Sequence, residues 1–193
     1  MFGKFGKFSL PRSGAFLSAR LRPAAAEAAR NEDGVAAVEF AFVAAPFFAL
    51  LIAILDLALL FFAQASLETA VEQTARLVLT GQAMSQGLTV SQFQAAVCNA
   101  LPSAFSCNGV MIDLQTASSF AGANTSAPTL TYDAHGNVTN AWKYQVGGPG
   151  TIQVMRVMYQ WPIFPGPLNV NFANLSNGAY LLMATSVFRN EPQ

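Results

Sequence analysis

Charged residues are scarce in this sequence. Of its 193 residues only 10% are Asp, Glu, Lys or Arg, whereas 53% are hydrophobic. Soluble globular domains carry roughly 25% charged residues. The deficit therefore indicates a membrane segment. Ten basic residues balance ten acidic residues, so the net charge of zero says nothing about partners.

The sequence also has little of what catalysis and metal binding need. Its single histidine, His135, lies in the segment YDAHGN, which reads as a turn and offers no positioned general base. The chain has no Cys-x-x-Cys motif and no glycine-rich phosphate loop of the kind that metals and nucleotides use. No two carboxylates after the apolar segment form a recognisable acid/base motif. We therefore expect a protein that is not an enzyme, with no catalytic residue, metal, cofactor or small-molecule substrate.

The chain has two cysteines, Cys98 and Cys107, nine residues apart. In an oxidising compartment such a pair predicts a disulfide. Closing so short a loop would contribute roughly 2 to 3 kcal/mol. Two buried free thiols are the alternative that the spacing leaves open.

Basic residues are concentrated at the start of the chain. Six of the ten precede Gly34 and four follow it. The basic segment is short, has no folded nucleic-acid-binding motif and adjoins an apolar run, so we expect no nucleic-acid partner. Basic flanks stay on the cytoplasmic side of a membrane helix. This rule predicts a cytoplasmic N-terminus and a C-terminal part outside the cytoplasm.

The longest apolar run extends from Phe40 to Ala63 and reads FAFVAAPFFALLIAILDLALLFFA, with Asp56 as its one charged residue. At about 1.5 Å per residue a helix of this length covers roughly 36 Å, enough to cross a hydrocarbon core of about 30 Å. A cleavable secretory signal is excluded because its apolar core is only about 7 to 15 residues long. A buried core helix is the alternative. We predict a transmembrane helix in contact with membrane lipid.

Helical spacing continues after the apolar run. In residues 64–80 one face carries Leu67, Val71, Thr74 and Val78, a pattern typical of a helix with one packed side. On another face, Glu72 and Arg76 are spaced for an ion pair in the favourable order. Gly81 marks the predicted end. A second, shorter helix is predicted from about Thr89, with Ser91 as a candidate cap, to Leu101, where Pro102 stops it.

The remainder of the chain is rich in β-branched and aromatic residues separated by turn residues, which predicts strands. Alternation in Met155 to Trp161 is typical of an antiparallel sheet with one packed face. The elements together predict an α+β domain in which a membrane-anchored helix carries a short helix and a small antiparallel sheet. The five predicted strands are 109–116, 129–133, 137–146, 151–161 and 179–188.

Two carboxylates, Glu39 and Asp56, lie in or beside the predicted membrane segment, where a charge needs water or a partner. Near the bilayer centre a charge costs about 2.5 to 3.5 kcal/mol on insertion scales. Glu39, five residues after Gly34, either is hydrated at the cytoplasmic interface or has a partner. Asp56 follows about 25 Å further along a helix, near the outer interface. A hydrated side chain and an assembly contact stay equally open for Asp56.

The segment GVAAVEF, Gly34 to Phe40, lies between a basic flank and an apolar helix and resembles the cleavage region of type IV prepilins. Over Gly34 to Ala83 the chain is similar to the TadE family, pseudopilin-like proteins of the tight-adherence (Flp/Tad) pilus machinery. YQWPIFPGPL (159–168) and ATSVFRNEP (184–192) also look like that family. Residues 105–150 add little to the resemblance.

The resemblance implies a pilin-like fold in three parts. Residues 1–34 would be a prepilin-type leader, 35–80 a transmembrane helix with its periplasmic extension, and 81–193 a periplasmic α+β domain. In that family a prepilin peptidase cuts after the glycine, here between Gly34 and Val35. Glu39 would then meet the N-terminal amine of a neighbouring subunit, or that of its own chain four residues away. The resemblance makes Glu39, Phe40 and Asp56 candidates for assembly contacts.

The implied function is that of a pseudopilin or minor pilin in the assembly of a bacterial Flp/Tad adhesion pilus. Its partners would be the prepilin peptidase, other pilins or pseudopilins, and the pilus platform proteins. Its place would be the inner membrane, crossed once, with possible incorporation into the pilus. The rival hypothesis is a single-pass membrane protein whose periplasmic domain binds or senses a ligand.

Overall fold

The computed structural model describes residues 33–163 and 171–192, so most of the predicted leader and part of the segment 159–168 lie outside the described residues. The described residues fall into two compact units that divide between Phe48 and Ala49. A long apolar helix, short helices and a small antiparallel sheet make up the described part of the chain, which confirms the predicted α+β class. The elements are α1 (Asp33–Leu79), α2 (Gln82–Ser85), α3 (Val90–Ala100), β1 (Met111–Ala117), β2 (Ile152–Pro162) and β3 (Ala179–Arg189), with a 3-10 turn at Cys107–Gly109 between α3 and β1.

The helix α1 combines the predicted apolar run with its predicted extension. Gly34–Leu79 is long and apolar enough to be a candidate membrane span. The helix ends just before Gly81, as predicted, because Gly81 adopts a left-handed conformation with a φ of 72°. Such a conformation costs glycine little and terminates the helix. The backbone N–H of Glu191 donates to the carbonyl of Leu79 over 2.9 Å and satisfies one of the free carbonyls at this end.

In the part of α1 that belongs to the second unit, the apolar side chains change from mostly exposed to buried at Ala63. Large apolar side chains before it are mostly exposed, as at Leu55 and Phe62, whereas Leu67 and Val78 have no exposed surface. The four residues predicted to form one packed face are all buried, which confirms that helical pattern. Leu67, Val71 and Val78 join the domain core, whose members on α1 are Leu60, Ala63, Leu67, Val71, Ala75 and Val78.

The sheet has the order β1-β2-β3, and both pairs are antiparallel. Alternation along β2 divides the residues between two faces. Val157 packs in the same core as α1 and α3, together with Phe93. Met158 packs on the other face, which the segment between β1 and β2 covers. The domain therefore has two apolar layers, one on each side of the sheet.

Two of the five predicted strands are wrong. Residues 129–133 and 137–146 contribute only isolated bridges, Tyr132 to Val138 and Leu114 to Tyr144. The reason is local hydrogen bonding. The Asn140 side-chain amide accepts from the backbone N–H of Thr131 over 2.7 Å and donates to the carbonyl of Thr129 over 2.9 Å. Side-chain bonds of this kind compete with a strand ladder for the backbone groups.

The cap of α3 also differs from the prediction. Thr89, and not Ser91, precedes the helix. The Thr89 hydroxyl accepts from the backbone N–H of Gln92 over 3.3 Å, and the Gln92 amide oxygen accepts from the backbone N–H of Thr89 over 2.9 Å. This reciprocal capping box satisfies two donors at the helix start. The short helix α2 was not predicted.

The predicted ion pair between Glu72 and Arg76 does not form. Both side chains are exposed, and the one salt bridge among the described residues joins Asp113 to Arg156. Exposed pairs contribute little to stability and lose side-chain entropy when they form. The spacing alone therefore did not fix the contact.

Candidate processing and assembly site

The residues of the predicted cleavage motif lie in the first two turns of α1. Gly34, Val35, Glu39 and Phe40 are all exposed, and the Phe40 side chain has 69% of its surface accessible. Because Val35 and Glu39 are four residues apart on one helix, they share a face, with Cβ atoms about 5 to 6 Å apart. An amine at Val35 could therefore reach the Glu39 carboxylate.

Gly34 has no evident structural reason to be glycine. A Cβ atom at this position would meet nothing within 4 Å, and Gly34 is not among the glycines with positive φ. The described part of the fold would thus accept a larger residue at position 34.

The first unit presents a continuous apolar surface around Glu39. Large side chains from Val35 to Phe48 are more than half exposed. Between them lies a shallow apolar depression of about 500 Å³, lined by Ala37, Val38, Ala41, Phe42, Ala45 and Pro46. Small residues in such a depression allow another helix to approach closely in lipid. The face is suited to acyl chains or to an apolar helix.

Within residues 34–48, the described stretch around Glu39, there is no basic side chain to pair with its carboxylate. An exposed carboxylate in this apolar surface therefore depends on water, lipid headgroups or a cation from elsewhere. A carboxylate in the first turns also complements the positive end of the helix dipole.

Asp56 lies on α1 within the second unit and is half-buried. It has no salt bridge in the part of the chain that the structure describes.

The two cysteines lie between α3 and the 3-10 turn. Cys98 and Cys107 are joined through their sulfur atoms, with Cα atoms 5.6 Å apart. The Gln94 amide reinforces the junction, because it donates to the carbonyls of Cys107 and Val110 over 3.1 and 3.0 Å. Together these contacts hold the entry to β1 against α3.

A buried ion pair on the sheet was missed by sequence reasoning. Arg156 donates through Nε and Nη2 to Oδ2 of Asp113, directly opposite it in the register of β1 and β2. The second oxygen of Asp113 accepts from the backbone N–H of Lys143 over 3.0 Å, and Arg156 Nη1 donates to the Ser126 carbonyl over 2.9 Å. The pair thus fastens the segment between β1 and β2 onto the sheet. The signal that could have revealed this ion pair is an acidic residue in one predicted strand and a basic residue in another, because opposite charges on neighbouring strands attract.

Among the described residues outside the candidate membrane span, Asp133 and Tyr144 have shifted pKa values. Hydrogen bonds from the side chain and backbone of Asn137 lower the pKa of Asp133 below its ordinary value of 3.8. Burial raises the pKa of Tyr144, whose hydroxyl donates to the Leu88 carbonyl over 3.1 Å. Both groups serve local structure. Within residues 33–163 and 171–192 there is no group of three or more His, Cys, Asp or Glu side chains that could hold a metal.

Comparison with known proteins bears on the same segment. A family model described as TadE-like protein matches residues 34–76. The match confirms the predicted resemblance over those residues, from the glycine of the motif into the buried part of α1. No curated protein and no solved structure matches the chain.

Proposed function

We propose that this chain, whose residues 34–76 match the TadE-like family model, is a pseudopilin or minor pilin that a prepilin peptidase processes. The match indicates involvement in the Flp/Tad pilus system, and α1 is a candidate membrane anchor. The proposal adds a cleavage event, an orientation and a mode of assembly. It is a structural role, without catalysis by this chain.

The observation that carries the proposal is the position of Gly34. It lies in a helix where a side chain would fit, directly before an exposed apolar surface and five residues before Glu39. A recognition requirement of a peptidase explains a glycine that the fold does not need. Hydration of the helix start explains Glu39 but not Gly34.

Cleavage would change the charge at the helix start. Hydrolysis of the Gly34–Val35 amide leaves a carboxylate on Gly34 and an amine on Val35. The amine is largely protonated at neutral pH because free α-amino groups have pKa values of about 7.7 to 8.0. An ammonium at a helix N-terminus opposes the helix dipole, and the Glu39 carboxylate one turn away compensates it. The same carboxylate could accept the amine of a neighbouring subunit instead.

The proposed orientation follows from the charges. The basic segment before Gly34 stays in the cytoplasm, the apolar part of α1 crosses the inner membrane once, and the disulfide-bonded domain lies in the periplasm. In this arrangement the exposed apolar face of residues 35–48 contacts lipid before assembly and other pilins or pseudopilins afterwards. The pilus platform proteins are the further partners. Asp56 stays a candidate assembly residue.

The role of Gly34 can be tested directly, with Gly148 as the matched control position. Like Gly34, Gly148 has open space where a Cβ atom would lie and no positive φ. We expect Gly34→Val to insert into the membrane and remain uncut when the native prepilin peptidase is present. Gly148→Val should be cut like the unmodified chain. Cleavage of both variants at the same position and rate would contradict the proposed role of Gly34.

A further inference from the structure

The domain contains a second site that the pilus role does not use. A cavity of about 370 Å³ lies beside the 3-10 turn, the turn after Asp133 and the end of β2, and is lined by Asn108, Gly109, Met111, Gly136, Asn137, Val138, Trp142, Tyr159 and Gln160. We propose that this cavity binds one neutral sugar residue of a glycan. The inference rests on these residues alone and is independent of cleavage at Gly34.

The walls of the cavity are held by contacts that leave little freedom. A Cβ atom on Gly109 would lie 2.9 Å from Cε2 of Tyr159, so the backbone must pass directly over this ring. The disulfide to Cys107 fixes the first residue of the same turn. The Tyr159 hydroxyl accepts from the backbone N–H of Ser106 over 3.1 Å. One wall is therefore built before any ligand arrives, which reduces the ordering cost of binding.

The opposite wall is the turn that Asp133 organises. Gly136 has a φ of 82°, which favours glycine. The Asn137 amide nitrogen donates to Asp133 over 2.9 Å, and this bond leaves the Asn137 amide oxygen as an acceptor. Gln160 contributes from β2, where its amide oxygen accepts from Asn177 over 2.9 Å and its amide nitrogen stays a donor. The two amides thus offer an acceptor and a donor.

The cavity has aromatic surface but no charged side chain in its lining. Trp142 is half-buried, and among the described residues no other aromatic ring pairs with it. Aromatic rings carry negative charge on their faces, which attracts the weakly positive C–H groups of a sugar ring. Without a cation or carboxylate in the lining, charged ligands gain no counter-ion there.

These features together favour a neutral polyhydroxylated ligand. Hydroxyl groups both donate and accept, as amides do, and so match Asn108, Asn137 and Gln160. Ligand cavities occupy about 300 to 1,000 Å³, so this one is at the small end. It suits a single ring better than a peptide with several side chains.

The test uses the full chain in lipid nanodiscs and saturation-transfer difference NMR. The probes are the methyl glycosides of glucose, galactose, mannose, N-acetylglucosamine and N-acetylgalactosamine. At least one should receive saturation at its ring C–H protons. Gln160→Ala should weaken its binding about five-fold, the loss expected for one hydrogen bond, and Trp142→Ala should abolish the transfer. Gln82→Ala, at an exposed glutamine outside the cavity, is the matched control and should bind like the unmodified chain.

Two results would overturn the proposal: no transfer to any of the five glycosides, or transfer that Gln160→Ala and Trp142→Ala leave unchanged. Displacement of the bound glycoside by trialanine at equal concentration would assign the cavity to peptide and overturn it as well. Trp142 also packs against the apolar cluster formed by Leu130, Met158 and Leu181. If Trp142→Ala does not fold, Gln160→Ala and Asn108→Ala decide the outcome, since neither of these side chains is buried.

Discussion

Removal of one partner of the buried ion pair should strongly destabilise the domain. Asp113 and Arg156 have side chains that are 3% and 9% exposed. In Asp113→Ala the Arg156 guanidinium stays buried, with the Ser126 carbonyl as its remaining acceptor, and the backbone N–H of Lys143 loses its partner. Breaking a buried pair in this way costs about 3 to 5 kcal/mol.

The free energy of unfolding can be measured by guanidinium titration in detergent micelles, with the fluorescence of Trp142 and Trp161 as the signal. For a chain of this length 1 kcal/mol corresponds to roughly 2 to 4 °C in Tm. The variant should therefore melt about 6 to 20 °C below the unmodified domain. Glu72→Ala removes an exposed carboxylate without a salt bridge and should change stability by less than about 0.5 kcal/mol.

The double variant Asp113→Leu, Arg156→Met tests whether the lost stability comes from leaving one charge buried without its partner. Replacing both charges by apolar residues of similar size is often neutral or stabilising, so most of the lost stability should return. A loss below about 1 kcal/mol in Asp113→Ala would refute the reasoning. A double variant as unstable as Asp113→Ala would refute it too.

Three further predictions concern the helix and the loops. Leu67→Ala should destabilise the domain by about 2 to 5 kcal/mol, because its buried side chain leaves a cavity, whereas Leu55→Ala, at a 55% exposed position on the same helix, should leave the guanidinium midpoint unchanged. Glu39→Ala should insert normally but abolish pilus-dependent surface attachment in an adhesion assay; normal attachment would remove the assembly role of Glu39. The lowered pKa of Asp133 means that its contribution to loop order is present above pH 3.8 and lost as pH falls through the lower folded value. The NMR amide signal of Asn137, whose N–H donates to the Asp133 carboxylate, should therefore show its main shift below the ordinary aspartate pKa of about 3.9.

The long helix was predictable because its signals are local and strong. A continuous apolar run and a 3.6-residue period define α1 without reference to other elements. The same period identified Leu67 and Val78 as buried. Gly81 ended the helix as expected, since its backbone conformation is a local property.

The sheet was predicted only in part because strands depend on partners. Residues 129–133 and 137–146 have strand-like composition, yet the Asn140 side chain bonds backbone groups of Thr129 and Thr131. Composition does not reveal this competition. The pairing of Asp113 with Arg156 depends on the register of β1 against β2, which no periodicity in a single strand specifies.

The candidate processing site was predicted as a motif and stays a prediction. Gly34 is in a position where glycine is not needed for packing or for backbone conformation. The cavity beside Tyr159 could not be predicted, because its lining comes from separate stretches of chain. Its residues meet only after the disulfide, the turn at Asp133 and the sheet have formed.

The intact mass of the chain purified from its native membrane tests the central claim most directly. With the prepilin peptidase present, the mass should correspond to a chain that begins at Val35. Without the peptidase, the mass should retain the leader through Gly34. An N-terminus that is the same in both strains would contradict the account.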